Sequence, residues 1–217
     1  MTRKHGPFAD GSDDWDLFAA EAAYADSIFL QALGDVVGAV GAIERSLEIK
    51  PDYAPAILSM GSVEYQRKRG DDGKRLLMSL LSLPDDVGDL SVIIDEAGMF
   101  LIQVGEYTDA IELYRAAADR FPEEAEFHLG VSCCAGHLGL HDEAVFSSGR
   151  AAELKPDDSV CASDLGWSLL EAGRHEQALE ALERAVALDS TNERARENLR
   201  ICREAIAEAD SQGSSGV

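Results

Sequence analysis

Lysine is scarce in this chain. There are five lysines and 14 arginines among 217 residues, against 41 acids, and the formal net charge is −22. A surface with that excess of carboxylates repels phosphate backbones and anionic bilayers, so neither nucleic acid nor a membrane is expected as a partner, and a charge-steered partner should be basic. Long apolar runs are also missing. No stretch approaches the roughly 18 apolar residues that a spanning helix needs. The opening MTRKHGPFADGSDDWDLF starts basic but reaches its acids before any apolar run of signal-peptide length, and the expected compartment is the cytoplasm. Four cysteines, two of them adjacent, are too few for a disulfide framework, so free thiols are expected. There is no glycine-rich phosphate loop and no Gly-x-Ser-x-Gly elbow. The abundant acids fall on helix surfaces and turns, where solvated charge is the ordinary role. No enzyme constellation emerges, and no cofactor is expected.

What the chain does have is a period. Pro51, Pro122 and Pro156 end three similar phrases, and Ser190 stands in the same place in a fourth. Gly105, Gly139 and Gly173 are 34 residues apart, as are Ala110, Ala144 and Ala178, and Ala117, Ala151 and Ala185. Gly34 and Ala39 bear the same relation to Pro51. Each unit reads as an apolar helix, a glycine turn, a returning helix and a proline-type stop. The alanines let neighbouring helices approach closely.

DLGWSLLEAGRHEQALEALERAVALDSTN (164–192), with Leu165-Gly166, Gly173, Ala178, Leu182 and Ala185, resembles the tetratricopeptide repeat. AGMFLIQVGEYTDAIELYRAAADRFPEE (97–124) resembles it nearly as well. The resemblance implies an all-α fold, an α-solenoid in which antiparallel helix pairs stack into a right-handed superhelix. Repeats are placed at 20–53, 54–90, 91–124, 125–158 and 159–192. Residues 1–19 are an N-terminal extension, with 1–12 disordered and the first helix starting at 13. Residues 193–209 form a capping helix covering the last repeat with Leu199, Ile201, Cys202 and Ile206. Residues 210–217 are a disordered tail.

Two places depart from the pattern. In 54–90, nine residues separate Gly61 from Gly70, so this unit reads as irregular, with Arg75 near the usual small-residue position. Its LLMSLLSL (76–83) is apolar on nearly every side, which suits burial better than an interface. Its RKRGDDGKR (67–75) holds five of the 19 basic residues and reads as a solvated turn, with contact to an acidic partner as the alternative. At the N-terminus, Ser12 reads as a helix cap, followed by Asp13, Asp14 and Asp16. Trp15 and Phe18 are expected to pack on the first repeat, and residues 1–12 folding back as an internal ligand is a weaker alternative.

The resemblance also implies a concave groove lined by the first helices. In this register the lining is Tyr24, Ile28, Leu58, Tyr65, Asp95, Glu96, Met99, Ile102, Leu129, Cys133, His137, Asp164, Trp167 and Asn198. Some members of the family hold a C-terminal carboxylate with lysines, an arginine and asparagines. The positions here are aromatic, aliphatic and acidic, which argues against that clamp. The expected function is a non-catalytic adaptor or scaffold that binds a peptide or helix with apolar anchors and basic flanks, with Trp167 and Tyr65 as leading anchors. Shielding of a client's apolar segments, in the manner of a chaperone, is an alternative. Homo-oligomerisation through repeat faces is left open.

CCAGHLGLHDEA (133–144) raises one more class, a metal- or redox-responsive sensor built on Cys133, Cys134, His137 and His141. On one straight helix, Cys133, His137 and His141 would line up at four-residue steps. The period puts the turn glycine Gly139 between the two histidines, so the line breaks. Two ligands do not close a zinc site, and no metal is expected.

Overall fold

Five times the chain runs a helix, bends through one left-handed residue and returns. The computed structural model describes residues 12–85 and 87–214, with side chains over 15–85 and 87–209. Among them are eleven α-helices and no strand: α1 (Ser12–Ala32), α2 (Val36–Ile49), α3 (Ala54–Gln66), α4 (Gly70–Ser79), α5 (Leu90–Gln103), α6 (Tyr107–Arg120), α7 (Ala125–His137), α8 (His141–Leu154), α9 (Ser159–Glu171), α10 (His175–Leu188) and α11 (Glu193–Ser214). The fold is an all-α solenoid of antiparallel helix pairs. The chain divides into two units, 1–97 and 98–217. The expectations for residues 1–11 and 215–217 lie outside the described residues. Ser12 is already helical, and α11 runs five residues past 209.

The turns share one geometry. Gly34, Gly105, Gly139 and Gly173 have φ of 81°, 84°, 73° and 72°. The left-handed residue donates to the carbonyl three back and the next residue to the carbonyl five back, as in Gly139 N to Gly136 O (3.1 Å) and Leu140 N to Ala135 O (2.8 Å). These bonds satisfy carbonyls that a helix end leaves without partners.

The second pair uses the same turn without a glycine. Lys68 takes φ 62°, and Lys68 N and Arg69 N donate to Tyr65 O and Glu64 O, both at 2.9 Å. Lys68 follows Gly61 by seven residues, as Gly173 follows Gly166, and α3, α7 and α9 are all 13 residues long. The turn of 54–90 is therefore regular, contrary to the reading that placed it at Gly70. The buried small-residue position falls on Gly73 and not near Arg75. A non-glycine residue at positive φ disguised the register. Pro51 and Pro122 are 71 residues apart, three more than two 34-residue periods, and the excess comes after α4, in the short 3-10 turn Leu80–Ser82 and the link to α5. Lys68→Gly should raise stability by about 0.5–1 kcal/mol, since it relieves a left-handed side chain but loosens the unfolded chain. The midpoint of a urea titration measures this.

Within three of the pairs, a glycine in the first helix receives a side chain 16 positions later. A Cβ on Gly61 would come within 2.5 Å of Leu77, one on Gly166 within 2.5 Å of Leu182, and one on Gly98 within 2.2 Å of Tyr114. Leu77, Leu182 and Tyr114 are fully buried. Burying each leucine contributes about 2 kcal/mol. Leu77, Leu80 and Leu83 are all buried, so the leucine-rich stretch is core.

First helices of successive pairs also meet through short polar rungs. Tyr24 Oη and Ser59 Oγ lie 3.0 Å apart, Ser132 Oγ and Ser168 Oγ 3.1 Å, and Asn198 Nδ2 donates to Ser163 Oγ at 3.3 Å. In the second unit Leu199 and Cys202 of α11 are buried against Leu169, Ala178 and Leu182, with Ile206 beside them.

The N-terminal expectation fails. Trp15 and Phe18 do not pack on the first pair. They are 71% and 63% exposed and meet each other edge-on at 6.3 Å. The inward face of α1 is built from Ala20 and Ser27, and Ser46 Oγ of α2 donates to Ala20 O at 2.9 Å. Both aromatics fall on the other side of the helix.

Candidate functional site

In the first unit two of the expected lining residues, Tyr24 and Tyr65, are tied down. Tyr24 bonds Ser59 and packs edge-on against Tyr53 at 5.7 Å. Leu58 is half-buried and Ile28 is exposed. Tyr65 is no free anchor. Its ring covers Gly70 and Gly73 of α4, where a Cβ on Gly73 would come within 2.6 Å. Asp95 is half-buried and Glu96 exposed. The basic cluster at 67–75 is partly consumed as well. Arg69 bonds the buried Glu64 at 2.5 and 2.6 Å, and Arg67 approaches the same carboxylate at 3.4 Å. A carboxylate buried next to a turn takes its charge partners from that turn. Glu64 gave no sign of this in the sequence.

The second unit gathers its lining residues into a groove. Leu129, Cys133 and His137 of α7 and Asp164 and Trp167 of α9 surround a cavity of about 330 Å³. Four- and three-residue spacing on a helix puts each set on one face, and the Gly-turn pairing brings α7 and α9 side by side. Ser132, Gly136, Ser168, Glu171 and Arg194 complete the wall. None of these five was singled out from the sequence. Ser132 and Ser168, 36 residues apart near the repeat period, were the available signal. Asn198 is not in the groove. It is buried and spent on Ser163. Met99 is 57% exposed and Ile102 half-buried, and neither lines the cavity.

The groove's charge is mixed but leans negative. Arg194 Nη2 reaches Asp164 Oδ1 at 2.8 Å. Burial pushes the Asp164 carboxyl above its ordinary value, Arg194 opposes that, and Asp158 adds to it. The Glu171 carboxylate lies over Gly136, where a Cβ would come within 3.1 Å. Trp167 is exposed at the rim. His137 stacks on Tyr107 with ring centroids 4.1 Å apart and planes 21° apart, which fixes the ring's orientation.

The sensor alternative does not fit. His141 begins α8, beyond the turn, as the period required. Cys134 is fully buried, and burial drives its thiol up to about 12. Cys133 is also raised, by burial first and then by Asp164. A reactive thiol needs the opposite shift. All four cysteines are free, and among the described residues no three His, Cys, Asp or Glu side chains are placed to share a metal.

The profile of the tetratricopeptide repeat matches residues 97–159 and 163–199. This part of the chain is similar to tetratricopeptide-repeat proteins. It is 26% identical over 110 residues to the small glutamine-rich tetratricopeptide repeat-containing protein 2 of Mycosarcoma maydis, covering 51% of this chain and 31% of that protein. It is 26% identical over 144 residues to the CTR9 homolog of Arabidopsis thaliana, covering 66% of this chain and 10% of that one. The chain thus spans a third or less of these relatives. Among solved structures, YrrB, described as a tetratricopeptide-repeat protein with an unusual peptide-binding site, superposes with a TM-score of 0.57 at 18% identity over 87% of this chain and 97% of its own. The first such domain of Spaghetti, bound to the HSP90 peptide SRMEEVD, gives 0.51 at 22% identity over 54% and 93%. At these identities the likeness concerns the fold. The match to the tetratricopeptide repeat supports a protein-interaction module. None of its described helices is long and apolar enough to cross a membrane.

Proposed function

We propose that the chain is an adaptor whose second unit holds a segment of another protein, with an apolar anchor on Trp167 and Leu129 and basic flanks facing Asp164 and Glu171. The observation that carries this reading is the exposed Trp167 beside two carboxylates in one groove built from α7 and α9. A large aromatic at a pocket rim is the usual anchor of an interface, and clustered charge of one sign selects the partner's sign. Asp164 sharpens the second point. Its ion partner Arg194 is itself more than half exposed. A cation arriving from a partner would relieve a carboxylate already disfavoured by burial. An acidic C-terminal tail such as the Spaghetti domain holds would meet repulsion here.

Selection from a random peptide display library tests the chemistry. Enriched peptides should pair a large apolar residue with neighbouring lysine or arginine. Enrichment of acidic C-termini contradicts the reading. A selected peptide should also bind more weakly as pH falls. Protonation removes the Asp164 charge, and because its pKa is raised the loss begins at a higher pH than for an ordinary carboxylate. In Asp164→Asn this part of the pH dependence should disappear.

A further inference from the structure

The exposed apolar stripe of α1 belongs to the first unit and plays no part in the groove. Trp15, Phe18, Phe29 and Leu33 are spaced by 3, 11 and 4 residues, close to one, three and one helical turns, so they share one face. They are 71%, 63%, 64% and 66% exposed. Ala22 and Ala25 lie between them on the same face, also exposed, and leave a notch between the two aromatic groups. Val36 and Val37 extend the patch across the turn into α2, with Val37 85% exposed. An apolar stripe of five turns on a soluble helix, with the opposite face already packed on α2, is the mark of an interaction surface.

Charge identifies the occupant. From Ser12 to Glu44 there is no lysine or arginine, while Asp13, Asp14, Asp16, Glu21, Asp26, Asp35 and Glu44 are all acidic. Helical spacing puts Glu21 on one side of the stripe and Asp26 on the other. A second copy brought face to face would set these acids against their own kind, and residues 12–44 of neither copy hold a base to offset them. The complement is a cationic one. We infer that the outer face of α1 docks a basic amphipathic helix of a partner protein, its apolar side on Trp15, Phe18, Phe29 and Leu33 and its lysines or arginines over Glu21 and Asp26. This surface is separate from the second-unit groove, so the adaptor would carry two binding faces.

The chain has two tryptophans, Trp15 and Trp167, so in a Trp167→Phe background the emission reports Trp15 alone. The probe is a synthetic 14-residue amphipathic Leu/Lys helix, with a Leu/Glu peptide of identical apolar face as its counterpart. The expected result is a saturable blue shift with Leu/Lys, none with Leu/Glu, weakening with salt, and at least a tenfold loss of affinity in Phe18→Ser/Phe29→Ser. Both phenylalanines are exposed, so folding should survive, and unchanged far-UV circular dichroism checks that. Equal binding of both peptides, or undiminished binding by the double variant, overturns the inference. So does a blue shift that follows protein concentration without peptide, which assigns the face to a second copy. A red shift on removing residues 1–11 assigns it to the chain's own first residues, with the same consequence. A failure of the groove reading leaves the Trp15 signal untouched, so the two outcomes are separable.

Discussion

Tyr114→Ala is expected to lower the unfolding free energy by about 3–5 kcal/mol, more than any other single truncation in the second unit. Among the described residues Tyr114 is the largest fully buried side chain. Its ring lies between two glycines of different helices. A Cβ on Gly98 would come within 2.2 Å of it, and one on Gly130 within 2.4 Å. It also packs against Phe127, with ring centroids 6.4 Å apart. Alanine would leave a ring-sized void bounded by two residues without side chains to fill it. The converse substitution checks the same contact. Gly130→Ala should cost about 1–3 kcal/mol by overpacking, because the neighbour that must yield is a rigid ring and not a flexible chain end. Urea unfolding of the full chain measures both. A loss below 1 kcal/mol for Tyr114→Ala would mean that the ring does not lock α5, α6 and α7 together.

Trp167→Ala combined with Met99→Ala carries the largest effect on binding. Affinity for a basic-apolar peptide should fall by tenfold or more, with helicity nearly unchanged. Trp167 would supply most of the loss, in line with the about 2 kcal/mol or more that a central aromatic anchor carries. It is exposed at the rim of the groove, and Met99 is exposed outside it. The single variants therefore apportion the effect: Trp167→Ala alone should reproduce nearly all of it. Isothermal titration with a display-selected peptide, alongside circular dichroism, makes the measurement. Loss of folding in either variant would place that residue in the core instead.

The fold was legible because its determinants are local and periodic. Glycines at a 34-residue step mark left-handed turns, and alanines at the same step mark close helix contacts. Lys68 hid one turn, because a lysine at positive φ carries no sequence signal. Counting seven residues on from Gly61 would have found it. The break in the CCAGHLGLHDEA ligand line was also legible, since Gly139 keeps the period.

The site was harder to read, for a different reason. The helical register put Leu129, Cys133, His137, Asp164 and Trp167 on one face, and all five line the α7–α9 cavity. It could not tell which residues on that face are spent on neighbours. Tyr65 covers glycines, Tyr24 bonds Ser59, and Asn198 bonds Ser163. Those pairings depend on residues 5 to 35 positions away. Trp15 and Phe18 misled for the same reason. An aromatic at helical spacing normally faces the core, but here Ala20 and Ser27 already fill that side.

The central claim is that the α7–α9 face of the second unit holds the partner segment. Amide hydrogen exchange of the full chain, with and without a display-selected basic-apolar peptide, tests it most directly. The account predicts added protection over 129–137 and 164–171, abolished in Trp167→Ala. Protection confined to α6, α8 and α10, with α7 and α9 unchanged, would contradict it.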